Sequence, residues 1–221
     1  MMSLDAFIHP PLEAFLSAIR FFDVQGWTPA TSSNFSYRRD AQSFAISASG
    51  LEKGSLSLHD FISCDIATAT PLPSSNDPRS PSAETLLHAT VYEYYPSIHY
   101  VVHTHSSPCT VLSKLYETQG HLVLQGFELL KGLHGITTHE ARVTVPIFSN
   151  HQDMTVIRPQ LQHAMRHATE QHLPLHGFIL AGHGLYTWGR SPQEAKRHLE
   201  VFETLMHCVL ELKRHGYPDP V

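Results

Sequence analysis

Apolar residues in this 221-residue chain switch repeatedly between a helical and an extended period, and that interleaving confines it to a mixed α/β architecture. Leu12, Phe15, Leu16, Ile19 and Phe22 recur at helical spacing over 12–27, with Gly26 as the stop. Short alternating runs at 34–37, 43–47 and 60–64 read as strands. Ser82 is expected to cap a helix that runs to Tyr95, with Leu86, Leu87 and Val91 facing inward. The β-branched run at 98–103 predicts a buried strand, and Ser107-Pro108 opens a helix to Tyr116. Residues 126–133 read as a short helix, 141–145 as a strand and 158–172 as a helix. Strands at 177–181 and 184–188 flank a tight glycine-bounded turn. Ser191-Pro-Gln-Glu194 forms a capping box for the strongest amphipathic helix, which buries Leu199, Phe202, Met206, Val209 and Leu210 and stops before Gly216. The Pro- and Ser-rich tract at 70–81 reads as a surface loop inside one domain covering 1–221.

Composition narrows the function classes. Lys+Arg 15 against Asp+Glu 20 gives a net charge of −5, which argues against a nucleic-acid-binding surface. No run of 18 uncharged apolar residues exists, so no membrane span is expected. The stretch from Met1 to Pro10 lacks the basic and apolar regions of a signal peptide. Cys64, Cys109 and Cys208 are odd in number and widely spaced, which fits a reducing cytoplasm better than a disulfide framework or a metal knuckle. Histidine is the outlier: 18 of them outnumber all Lys and Arg together.

Among these, His103-Thr104-His105 lies at the end of the buried strand. Alternate strand residues share a face, which puts the two imidazoles side by side with Cα atoms about 6.5–7 Å apart. That spacing suits two ligands of one tetrahedral ion, and a polar pair closing a strand is the plain alternative. His183 sits between Gly182 and Gly184, where missing side-chain bulk lets a ligand approach; an ordinary turn histidine would look the same. Glu84 falls in the first turn of a helix, a position the dipole favours for any acid. Glu128 stands in an apolar stretch where desolvation would raise its pKa, unless it is exposed and paired with Lys131. His163 and His167 share a helix face without the glutamate of a zinc protease and read as solvated. His99, His121, His134, His139, His151 and His176 lie near element ends and read mostly as surface residues. Two polar turns, 31–34 and 47–50 with Lys53 close behind, offer hydroxyls and backbone N–H groups of the kind that cradle anions, as many generic turns do.

As an ordered set, ATSSNFS at 30–36, SASGLEK at 47–53, PSAETLLHA at 81–89, VVHTHS at 101–106 and GHGLYTWG at 182–189 resemble the class II aldolase/adducin family, over about Leu12 to Arg214. The resemblance implies an α/β fold of three layers, α/β/α, around a mainly antiparallel sheet. It implies one Zn2+ per subunit on His103, His105 and His183, and a substrate phosphate bound by Ser33, Asn34, Ser49, Gly50 and Ser82, with Lys53 assisting as a point charge. It also implies a homotetramer with sites near subunit contacts. GFELLKG at 126–132 and TWGR at 187–190 are most similar to a dehydratase branch, in which Glu128 matches the acid/base residue. Glu84 matches the catalytic glutamate of the aldolase branch. The activity implied is zinc-dependent loss of water from 5-methylthioribulose 1-phosphate, a small sugar phosphate of methionine salvage, in the cytoplasm. The alternatives are an aldolase or epimerase acting on another phosphorylated ketose, and a non-catalytic adducin-like interaction module. One departure stands out: Ser33 occupies a position that is usually glycine in the family, so a positive φ there would strain the loop.

Overall fold

A computed structural model describes residues 9–73 and 77–218. The opening stretch through residue 8 and the middle of the Pro/Ser tract lie outside the described residues. The elements run α1 (His9–Val24), β1 (Asn34–Arg38), β2 (Ser43–Ser47), β3 (Phe61–Asp65), α2 (Thr85–Tyr94), β4 (Tyr100–Thr104), α3 (Ser107–Leu115), β5 (His121–Leu124), β6 (Val143–Phe148), α4 (Met154–Glu170), β7 (Gly177–Leu180), β8 (Gly184–Gly189) and α5 (Pro192–Arg214). The strands form one sheet in the order β3-β2-β1-β4-β8-β7-β6-β5. Every neighbouring pair is antiparallel except β6–β7, as expected of a mainly antiparallel sheet.

Alternation along β4 explains the layering. Tyr100 and Val102 pack with α1, α3 and α5 around Phe15, Phe22, Leu112 and Phe202. Val101 points the other way, joining α2 and α4 around Leu87, Tyr92, Leu161 and Trp188. A sheet buried on both faces gives three layers. None of the described helices is long and apolar enough to cross a membrane.

Several boundaries differ from expectation for local reasons. The strand β5 was not anticipated: its four residues are too few for a period to be read. Ser82 does not cap α2; its carbonyl closes a turn with Thr85, and the helix starts one residue after Glu84. The cap of α3 is Ser106, whose Oγ accepts the Cys109 N–H. Helix α4 begins four residues before Arg158, capped by Asp153, because Pro159 is accommodated inside it. The stretch read as a helix at 126–133 is a 3-10 turn, Glu128–Gly132.

The residue after His103 faces the opposite layer. Thr104 Oγ1 donates a 2.8 Å hydrogen bond to Oε1 of Glu203 on α5, which is buried. Burial raises the Glu203 pKa to about 7, against the lowering effect of hydrogen bonds from Ser106 and Thr104. Between about pH 4.5 and 7 the folded protein therefore keeps a proton that the unfolded chain has released. Stability falls as pH rises through that window, by up to about 3 kcal/mol at roughly 1.4 kcal/mol per unit. Glu203→Gln is expected to flatten the pH dependence of the urea midpoint between pH 5 and 8. Parallel curves for variant and wild type would refute the assignment.

Candidate metal centre and anion site

The sheet register builds the centre. On three adjacent strands Asn34, His103 and Tyr186 are direct cross-strand partners, and Phe178 on β7 extends the row. Cross-strand partners share a face, so Tyr186 stacks on His103 at 3.9 Å and on Phe178 at 4.5 Å. His105 follows two residues later, its N–H donating to the Trp27 carbonyl at 2.8 Å. The β7–β8 turn brings His183 beside both: its ring lies 5.0 Å from His103 and 4.6 Å from His105.

One ligand nitrogen from each of the three imidazoles can lie within 4.8 Å of the others. His103 Nδ1 lies 2.9 Å from the Leu185 carbonyl. A carbonyl only accepts, so Nδ1 carries the proton and Nε2 offers its lone pair, 2.8 Å from Nε2 of His105. Asn150 Oδ1 lies 3.2 Å from Nδ1 of His183 and orients that ring in the same way. Burial pushes the His103 pKa well below its ordinary value and that of His105 down to about 4. Three imidazoles converging on one point are the donor set a divalent cation requires, and the residues fit the metal that the sequence implies.

Glu84 closes the centre. Its Oε1 is 3.2 Å from His183 Nε2 and its Oε2 is 3.4 Å from His103 Nε2, while Asn34 Nδ2 donates to the same carboxylate. Burial acts to raise its pKa, but His103, His183 and Asn34 outweigh that and hold the carboxyl well below its usual range.

The two polar turns lie at the same end of the sheet. Asn34 Nδ2 also reaches Ser82 Oγ at 3.0 Å. Ser49 N donates to the Ser80 carbonyl at 3.0 Å, which draws 47–50 against the segment that holds Ser82. Ser49 and Gly50 are exposed, Gly50 at φ +76°. Lys53 is buried, and its Nζ donates to the carbonyls of Thr31 at 2.9 Å and Leu51 at 2.5 Å. It ties the two turns together through two of its three protons. Ser33 is nearly buried with φ +77°, so the serine in the usual glycine position does occupy left-handed backbone.

Glu128 departs from expectation. Its side chain is 71% exposed, paired with Lys131 and 3.7 Å from His139. The Lys131 hydrogen bond lowers its pKa, where desolvation had been expected to raise it. In a 3-10 turn, side chains three apart eclipse. Phe127, Leu130 and Leu133 therefore share the inner face, and Glu128 is left outside. Strand β5 also runs toward the far end of the sheet: β4, β6 and β7 end at the imidazoles, whereas β5 is antiparallel to β6 and ends away from them. Within one chain Glu128 and the three histidines stand at opposite sheet ends.

His163 and His167 are exposed as expected. His176, read as a surface residue, is buried. Two participants went unread: Tyr186 and Asn150. Their partners are 83 and 33 residues away along the chain, and only strand pairing brings them together.

Gly184 is required by packing: a Cβ there would overlap the Thr104 carbonyl and press on the His103 ring. Gly184→Ala is expected to cost several-fold or more in metal affinity together with a lower melting temperature; unchanged zinc uptake would disprove the packing argument. Ser33→Gly should stabilise the fold by about 1 kcal/mol by relieving left-handed strain. An unchanged or lower denaturation midpoint would count against that.

The family model described as class II aldolase and adducin N-terminal domain matches residues 13–210. A methylthioribulose-1-phosphate dehydratase of Stenotrophomonas maltophilia (strain K279a) is 48% identical over 195 residues, covering 86% of each chain. One of Xanthomonas campestris pv. campestris (strain 8004) is 45% identical over 211 residues, 96% of this chain and 93% of its own. Among solved structures, an L-fuculose 1-phosphate aldolase from Glaciozyma antarctica PI12 superposes with a TM-score of 0.73 at 18% identity, covering all of this chain and 80% of its own. At that identity it speaks for the fold.

Proposed function

The chain belongs to the class II aldolase and adducin N-terminal domain family, and on that premise we propose that it is a hydro-lyase that removes water from 5-methylthioribulose 1-phosphate to give 2,3-diketo-5-methylthiopentyl 1-phosphate. The observation that carries this reading is the convergence of His103, His105 and His183 on one point, beside Glu84 and two polar turns. Identity of 45–48% to dehydratases along most of the chain supports the choice of reaction.

The donor set suits Zn2+, one per subunit, which when bound supplies Lewis acidity at the substrate's carbonyl and neighbouring hydroxyl. Ser33, Asn34, Ser49, Gly50 and Ser82 hold the phosphate, and Lys53 fixes the two turns that present them. Asn34 holds the Glu84 carboxylate beside the Nε2 atoms of His183 and His103, whose rings are oriented by Asn150 and the Leu185 carbonyl. Glu128 takes the proton from C3 and returns one to the departing C4 hydroxyl, so that water leaves and the enol product tautomerises to the diketone. Because Glu128 stands at the other end of its own sheet, it serves the centre of a neighbouring copy, in keeping with a homotetramer whose sites lie at subunit contacts. The domain spans 1–221 and works in the cytoplasm, in methionine salvage.

A second reading is favoured by one observation, the contact of Glu84 with two of the three imidazoles. There Glu84 is the acid/base of an aldolase or epimerase on another phosphorylated ketose.

Diketone formation by Glu128→Gln and Glu84→Gln, with zinc measured in each, separates the two. Glu128→Gln is expected to lower turnover about 10²- to 10⁴-fold with zinc retained. Wild-type turnover in that variant would remove Glu128 from the chemistry. Faster turnover of fuculose or ribulose phosphates than of the methylthio sugar would establish the second reading.

A further inference from the structure

The segment that follows Glu128 is gripped by buried side chains that the chemistry itself does not use. The grip centres on the backbone of His134, whose own side chain is exposed. Its N–H donates to Nε2 of His198 on α5 at 3.0 Å, and its carbonyl lies 2.7 Å from Nε2 of His176, just before β7. Both halves of one residue's peptide hydrogen bonding are thus taken by two imidazoles that are 3% and 5% exposed. Two residues earlier, Arg197 Nε donates to the Gly132 carbonyl at 2.8 Å.

The ring states are dictated by these partners. His198 Nδ1 faces the Trp188 carbonyl at 2.8 Å, so Nδ1 carries the proton and Nε2 is free to accept. His176 must carry its proton on Nε2 to donate to the His134 carbonyl. Burial lowers both pKa values, that of His198 to about 4, so both rings stay neutral at physiological pH and keep these roles. A surface loop is ordinarily the mobile part of a fold. Here Leu130 and Leu133 anchor it to the core and the two imidazoles fix its exit.

We propose that His198 and His176 are positioning residues, a two-imidazole clamp on His134 that holds the Glu128 turn at the height needed to meet a neighbouring copy's metal centre. This rests on the acid/base role given to Glu128. A carboxylate that must reach a proton across a subunit contact tolerates little displacement, and an error of about 1 Å can cost around 10²-fold in rate.

The test uses the full-length, zinc-loaded chain with four variants. His198→Leu, which removes the acceptor, is expected to lower kcat tenfold or more, with KM within threefold, one zinc per chain retained and faster amide exchange at His134. His198→Gln places an acceptor oxygen near the lost Nε2 and should restore most of kcat. Arg197→Met, which removes the bond to the Gly132 carbonyl from a side chain that is 52% exposed, should lower kcat several-fold with an unchanged melting temperature. Wild-type kcat in both His198→Leu and Arg197→Met, with Glu128→Gln inactive, would overturn the clamp and leave the role of Glu128 standing. Joint loss of fold and zinc in His198→Leu, with no rescue by Gln and Arg197→Met at wild-type kcat, would also overturn it by making His198 a packing residue only. Wild-type turnover in Glu128→Gln is a distinct failure, that of the acid/base reading beneath the clamp.

Discussion

Strand β4 paired on both sides, to β1 and to β8, is the constraint on which the rest of this structure depends. Its register puts Asn34, His103 and Tyr186 in one row. That row meets Glu84, the residue just before α2, and places the loops at 31–34 and 183 beside the same strand end. A slip of one residue in either pairing would turn His103 toward α5 and Thr104 toward Glu84, because side chains in a strand alternate faces. The centre would be lost without any change in the sequence of β4.

The same strand carries two opposite electrostatic problems on its two faces. On one, burial holds His103 and His105 neutral, and His103 and His183 share the Glu84 carboxylate, an arrangement that a divalent ion would complete. On the other, Glu203 is buried with Oε2 unpartnered among the described residues, and its proton lowers the cost of leaving it there. Polar groups this deep are destabilising unless paired. The core around them compensates through the apolar clusters on both sides of the sheet.

The two candidate acids show how far local reading reaches. Glu84 looked like any acid at a helix start, and the fold made it the partner of two histidines contributed by β4 and the β7–β8 turn. Glu128 looked like a desolvated acid within an apolar stretch. The 3-10 turn instead gave its inner face to Phe127, Leu130 and Leu133, and the direction of β5 carried Glu128 to the far end of the sheet. Motif spacing was enough to nominate both residues; it could not say which one shares a chain's own centre. His176, His198 and Tyr186 were unreadable for the same reason, since each acquires its partners through contacts tens of residues distant.

By itself the sequence determined what depends on neighbours along the chain. The alternation of apolar periods set the helices and most strands, Ser191 set the start of α5 by capping the Glu194 N–H, and His103-Thr-His105 set two imidazoles on one face. These follow from backbone geometry within a few residues. Only the tertiary structure decided which strand lies beside which, and with it the third histidine's approach, the burial of Glu203 and the separation of Glu128 from the imidazoles. Pairing is a choice among many surfaces of similar apolar character, and it is settled by how both faces of a single sheet are covered at once.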